Sequence, residues 1–154
     1  MRHGRGHVIV WAWVVIALGV FGPARPAISA PTDLIFVVSE SAPVQTLSIE
    51  DLQKIYLGKK RAVADFPIVA VDHSETEPVK LAFLNTILHL THAEYRTQLL
   101  KRRFQEGAVT PKFVGSSTEA LKTVRETPGA IGYVYQADGG SLLGLRVLAT
   151  VPTQ

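Results

Sequence analysis

The sequence predicts a layered α/β domain, a mixed central sheet with helices on both faces. Three observations carry this. Short apolar runs at 34–38, 68–71 and 131–135 have the length and composition of strands buried on both sides. Between them, apolar residues recur at helical spacing. Four helix starts place a hydroxyl three residues ahead of a carboxylate: Ser48 with Asp51, Ser74 with Glu77, Thr91 with Glu94 and Ser116 with Glu119. In such a capping box the hydroxyl accepts from an orphan amide and the acid reaches back to the cap. Strands alternating with helices bury their apolar faces by stacking in layers.

The elements follow in order. Asp33 to Ser39 reads as a buried strand and Ser41 to Thr46 as a loop broken by Pro43. Ser48 opens a helix whose apolar face is Leu52, Ile55 and Tyr56, and Gly58 ends it, since glycine readily takes the left-handed conformation that closes helices. The basic turn Lys59-Lys60-Arg61 leads through Phe66-Pro67 to a second buried strand, Ile68 to Val71. Val79, Phe83, Leu84, Ile87 and Leu88 mark the next helix, and Tyr95, Leu99 and Leu100 another that begins at Thr91 and stops near Gly107. Lys112 to Val114 suits a short strand, and Leu121 and Val124 lie on the helix before Pro128. In Thr127-Pro128-Gly129-Ala130-Ile131-Gly132-Tyr133-Val134 a helix must stop, reverse through glycine and enter a strand, because proline cannot continue it. Leu145 to Val151 reads as a final strand after a turn at Gly139-Gly140.

The first residues have a different character. A basic stretch at 2–7, an uncharged apolar run from Val8 to Gly22 and small residues from Pro23 to Ala30 form the pattern of a secretory signal peptide. The apolar run is short for a spanning helix, which needs roughly 20 residues. Residues 1–29 are expected to be removed, leaving a soluble, exported domain over 30–154 with no membrane anchor. The chain has no cysteine, which excludes disulfides and a lipid-modified N-terminal Cys. The net charge of +3 comes from Arg2, Arg5 and Arg25 in the leader, and the remaining 13 basic residues balance 13 acidic ones. Without excess positive charge, nucleic acid binding loses its main driving force.

In a domain of this class, ligands gather beyond the carboxyl ends of strands, where helix starts present unpaired N–H groups. Two segments qualify: Asp72-His73-Ser74-Glu75-Thr76, after the second strand, and Gly115-Ser116-Ser117-Thr118, before the helix that leads to Pro128. Hydroxyls and amides there suit a tetrahedral oxyanion, although Ser74 and Ser116 are already explained as helix caps, which are far commoner than anion sites. Asp72, His73 and Ser74 include the residue types of a hydrolytic triad, but consecutive positions do not make its geometry. No catalytic residue, metal site or cofactor is expected. His89 and His92 read as turn or surface histidines, and Lys59–Arg61 with Lys101–Arg103 as solvated charge or a patch for an acidic partner. Tyr133 and Tyr135 share a strand face as core or cleft lining.

The GAIGYV strand at 129–134 resembles the signature near the end of the phosphate-type solute-binding proteins of bacterial ABC importers. The segment from Val37 to Lys59, VVSESAPVQTLSIEDLQKIYLGK, is similar to that family's strand, loop and LS/T-E-x-L helix ending in I-F-x-G-K. The resemblance implies a single periplasmic-binding-protein-like lobe, periplasmic and not an enzyme. It implies that Ser74 and Thr76 match the hydroxyls that hold phosphate, and that Asp72 matches the acid that accepts the phosphate proton. An ABC permease, and a second lobe or subunit closing on the solute, are the partners implied. The chain departs from the family pattern in two respects. The clamping Arg would fall at Ala70 or Val71, and His73 and Glu75 replace glycines. Glu75 and Glu77 also oppose an anion at that helix start. These departures support an alternative, an envelope interaction module that kept the fold and lost the solute.

Overall fold

The computed structural model describes residues 33–153; the expected leader, 1–29, and its cleavage point lie outside the described residues. The chain runs β1 (Leu34–Ser39), α1 (Ile49–Tyr56), β2 (Ala62–Val63), β3 (Phe66–Pro67), β4 (Val69–His73) and α2 (Pro78–Phe83). A π-helical turn at Leu84–Leu88 follows, then α3 (His92–Glu106), β5 (Lys112–Val114), α4 (Ser117–Glu126), β6 (Ala130–Tyr135), a 3-10 turn at Gln136–Asp138 and β7 (Leu145–Val151). Five strands form one sheet in the order β5-β4-β6-β1-β7. β4 is parallel to β5 and β6, and β1 is antiparallel to β6 and β7, so the sheet is mixed as expected.

β1 shows why helices cover both faces. All six of its residues are buried. Leu34, Phe36 and Val38 enter one core with Leu52, Tyr56, Phe83, Ile87 and Leu99, while Ile35 and Val37 enter a second with Ala120, Leu121 and Val124. Successive side chains point to opposite faces of a strand. α1, α2, the π-helical turn and α3 therefore pack on one side and α4 on the other.

Two glycines set the α4–β6 junction. Gly129 has φ +78°, and a Cβ there would lie 2.2 Å from the carbonyl oxygen of Pro67. A Cβ on Gly132 would lie 2.8 Å from Cγ2 of Val124, so this glycine lets α4 sit close on the sheet.

The structure corrects two local expectations. β4 runs to His73, two residues past the expected strand end, because β5 pairs with it at Asp72↔Phe113 and His73↔Val114. Asp72 and His73 are thus strand residues. Ser74 and Glu77 form no capping box: α2 starts at Pro78, and its N-cap Glu77 makes no side-chain cap bond. Proline suits that first position, having a suitable φ and no N–H to satisfy. The other caps form. Ser48 Oγ accepts from the Asp51 amide at 3.1 Å, and Thr91 with Glu94 makes the full reciprocal box. Ser116 Oγ accepts from the Glu119 amide at 3.2 Å, while the Glu119 carboxylate accepts from the Gly115 amide at 2.8 Å. The β2–β3 hairpin was not expected; it turns on Ala64 and Asp65, both at positive φ. Among the described residues no helix is long and apolar enough to cross a membrane.

Candidate functional site

Because β4, β5 and β6 are parallel, their carboxyl ends share one edge of the sheet. The Ser74 amide donates to the Val114 carbonyl at 2.9 Å, which holds the loop after β4 beside the loop after β5. The structure therefore brings the two predicted segments together. A third joins them from beyond β6: Ser117 Oγ donates to Asp138 at 3.4 Å, and the Tyr135 hydroxyl donates to the Pro78 carbonyl at 3.2 Å. Sequence reasoning did not include Asp138, which reaches the site only through the strand order.

Within the first loop, the Ser74 and Thr76 hydroxyls are 3.1 Å apart. Glu75 is paired with Arg96 of α3 at 3.0 Å. Ser116 is occupied as a cap, and Ser117 and Thr118 lie in the first turn of α4. Glu75, Glu77, Glu119 and Asp138 make the rim acidic. Arg96 supplies a cation beside the loop, although β4 itself carries none. It comes from a helix 20 residues further along the chain, so no local motif signals it.

Asp72 is fully buried, and both its oxygens are engaged within the protein. Oδ1 accepts from the His73 amide at 2.8 Å and the Tyr133 hydroxyl at 2.5 Å. Oδ2 accepts from Lys80 Nζ and from the Tyr95 hydroxyl, the latter at 3.0 Å. A buried carboxylate is tolerated only when paired and hydrogen-bonded, and four donors meet that need. Asp72 thus faces the core instead of the loop where the resemblance places a proton acceptor. Burial lowers the Lys80 pKa, opposed by Asp72, and raises those of Tyr95 and Tyr133, with the Asp72 charge adding to the rise. The two tyrosines consequently remain protonated donors. Lys80 was passed over in the sequence, yet 80, 83, 84 and 87 have the spacing of one helix face.

His73 is buried as well. Its Nε2 is 2.8 Å from the Tyr133 carbonyl, which can only accept, so the proton is on Nε2. Nδ1 is buried with no hydrogen-bond partner. Burial lowers the His73 pKa, against the opposing effects of the Tyr133 carbonyl and Asp72. These side chains occupy a place where the sheet opens. The β4–β6 ladder covers Val69↔Ala130 and Ala70↔Ile131. Beyond it the strands are bridged by side chains: the Tyr56 hydroxyl reaches the carbonyls of Val71 (3.1 Å) and Ile131 (3.0 Å), and His73 reaches that of Tyr133.

No protein-family model matches the chain, and no curated relative does. Solved structures do. An ABC-type phosphate transport receptor from Vibrio cholerae matches 77 % of this chain with 19 % identity and a TM-score of 0.59 over 46 % of its own length. A Clostridium perfringens protein crystallised with bound phosphate matches 77 % with 18 % identity and a TM-score of 0.62, over 45 % of its length. PstS from Borrelia burgdorferi matches 79 % with 20 % identity and a TM-score of 0.59, over 49 % of its length. The chain spans about half the length of these structures. With its mixed five-stranded sheet and helices on both faces, the domain has the fold of a single lobe of the phosphate-type substrate-binding proteins of ABC transporters.

Proposed function

We propose that this domain is an exported, periplasmic binding lobe that takes inorganic phosphate or a similar oxyanion and has no enzymatic role. The observation that carries the reading is the Ser74–Thr76 hydroxyl pair at the carboxyl end of β4, with Arg96 beside it. The two hydroxyls donate to the anion, and Arg96 supplies charge-assisted bonds in place of an arginine on β4. Ser117 and Thr118 are the next candidates, in the first turn of α4, where the helix dipole favours negative charge. Asp72 and His73 act as positioning residues, fixing the root of the loop. A second lobe or subunit closes the other side of the anion, and an ABC permease receives it.

Calorimetric titration of phosphate, with sulfate for comparison, tests this. Saturable binding is expected, lost in the Ser74→Ala, Thr76→Val double variant and weakened about tenfold, or about 1.4 kcal/mol, in Arg96→Gln. Unchanged affinity in the folded double variant would remove these residues from the site. The second reading, an interaction module that no longer binds solute, is favoured by the engagement of Asp72 within the core and by the carboxylates on the rim. It predicts no saturable heat from a folded sample, and a protein partner recovered by crosslinking in the envelope.

A further inference from the structure

Residues 33–153 carry equal numbers of basic and acidic side chains. Carboxylates rim the end of the sheet where β4 finishes. At the other end, where β4 begins, a cavity of about 250 Å³ is lined by Ile55, Ile68, Val69, Val109 and Pro111, with Lys60 and Arg61 on its rim. Val69 and Val109 are 37 % and 69 % exposed. The fold sets one basic triad beside this cavity. Arg61 donates to the Gly107 carbonyl at 3.1 Å, which sets the Lys59–Arg61 turn against the end of α3, one turn beyond Lys101–Arg103. Lys60 pairs with Asp51 and Arg102 with Glu106, whereas Lys59, Lys101 and Arg103 have no acidic partner among the described residues. Phe104, on the same turn of α3, is 82 % exposed.

We propose that this groove docks an acidic segment of a protein partner. One apolar side chain of that segment fills the cavity, and carboxylates flanking it meet Arg61 on the rim and Lys59 beside it. The volume suits a single leucine or aromatic side chain, being smaller than the roughly 300–1,000 Å³ of ordinary small-molecule sites. The cationic surround selects negative charge. Like charge also prevents this face from pairing with its own copy about a twofold axis, since each would present the same cations.

The test uses the intact chain and a fluorescein-labelled peptide with a single leucine between aspartates and glutamates, followed by anisotropy. Saturable binding is expected, at least tenfold weaker when glycine replaces the leucine, and at least tenfold weaker in Val109→Asp and in Lys59→Glu. Val109 and Lys59 are exposed, and circular dichroism checks that both variants fold. Absence of saturation, equal affinity for the glycine peptide, or indifference to Val109→Asp would each overturn the proposal. Sedimentation provides a further outcome: head-to-tail self-association lost in Glu75→Gln, Glu119→Gln would make a second copy the occupant and overturn it also. Phosphate affinity should be unchanged in Val109→Asp, so failure here is distinguishable from failure of the oxyanion site.

Discussion

Lys80→Met would leave the Asp72 charge in the core with only neutral donors, the Tyr95 and Tyr133 hydroxyls and the His73 amide. Breaking a buried pair from one side costs about 3–5 kcal/mol. The urea midpoint should fall accordingly, and Asp72→Leu together with Lys80→Met should recover much of the loss; no recovery would mean the pair is not what the cost reflects. His73 gives a pH dependence of definite sign. Its folded pKa lies below the ordinary 6.5, so on acidification the unfolded chain takes up this proton first. Stability is fully present above pH 6.5 and declines as pH falls from there towards the folded value, by at most about 1.4 kcal/mol per pH unit. His73→Gln keeps a donor for the Tyr133 carbonyl and should lose less stability between pH 7.5 and 5.5 than the parent; equal losses by denaturant titration would contradict this. At this scale the sequence was only partly readable. Asp72 and His73 look like loop residues because they open a polar run, and their burial depends on Lys80, Tyr95 and Tyr133, which no local pattern connects to them.

Among the elements, the caps separate a structural hydroxyl from one available to a ligand. Ser48→Ala and Ser116→Ala should each cost about 1 kcal/mol, the typical value of an N-cap. Ser74→Ala should change stability by less than about 0.5 kcal/mol, as for sites without such a role. Thermal unfolding of the three variants decides, and a cost at Ser74 equal to that at Ser48 would restore it as a cap. Gly129→Ala should be more damaging than any of them, since it forces a Cβ onto the Pro67 carbonyl at positive φ. Strands β1 and β6 were legible because burial on both faces leaves an apolar run with no polar alternation. The β2–β3 hairpin was not, since two-residue strands have no period and exist through their pairing alone. The continuous apolar spacing through 79–88 foretold a helix but not the change of pitch at Leu84, which leaves the side chains on the same face.

For the whole molecule, the mixed α/β architecture was readable because strand and helix patterns alternate along the chain, and the candidate edge was readable because ligand sites in such sheets lie beyond strand ends. The strand order was not, and with it were missed Arg96 and Asp138. β1 and β6 place alternate residues in both cores, so neither core can be lost without the other. Unfolding of the domain should therefore be one transition. Far-ultraviolet dichroism and tyrosine fluorescence should give coincident curves. Separate midpoints would show that the α4 side melts independently.

A final consequence belongs to the Tyr56 hydroxyl and the His73 ring, which stand between β4 and β6 where main-chain rungs end. Ordinary rungs belong to the backbone and survive nearly every substitution. Along this seam the fastening is written in side chains, so a single replacement such as Tyr56→Phe, which removes one oxygen atom, can loosen the join between two strands while leaving the rest of the sheet laced. The stiffness of the edge carrying Ser74 and Thr76 is thereby a property that point mutation can tune.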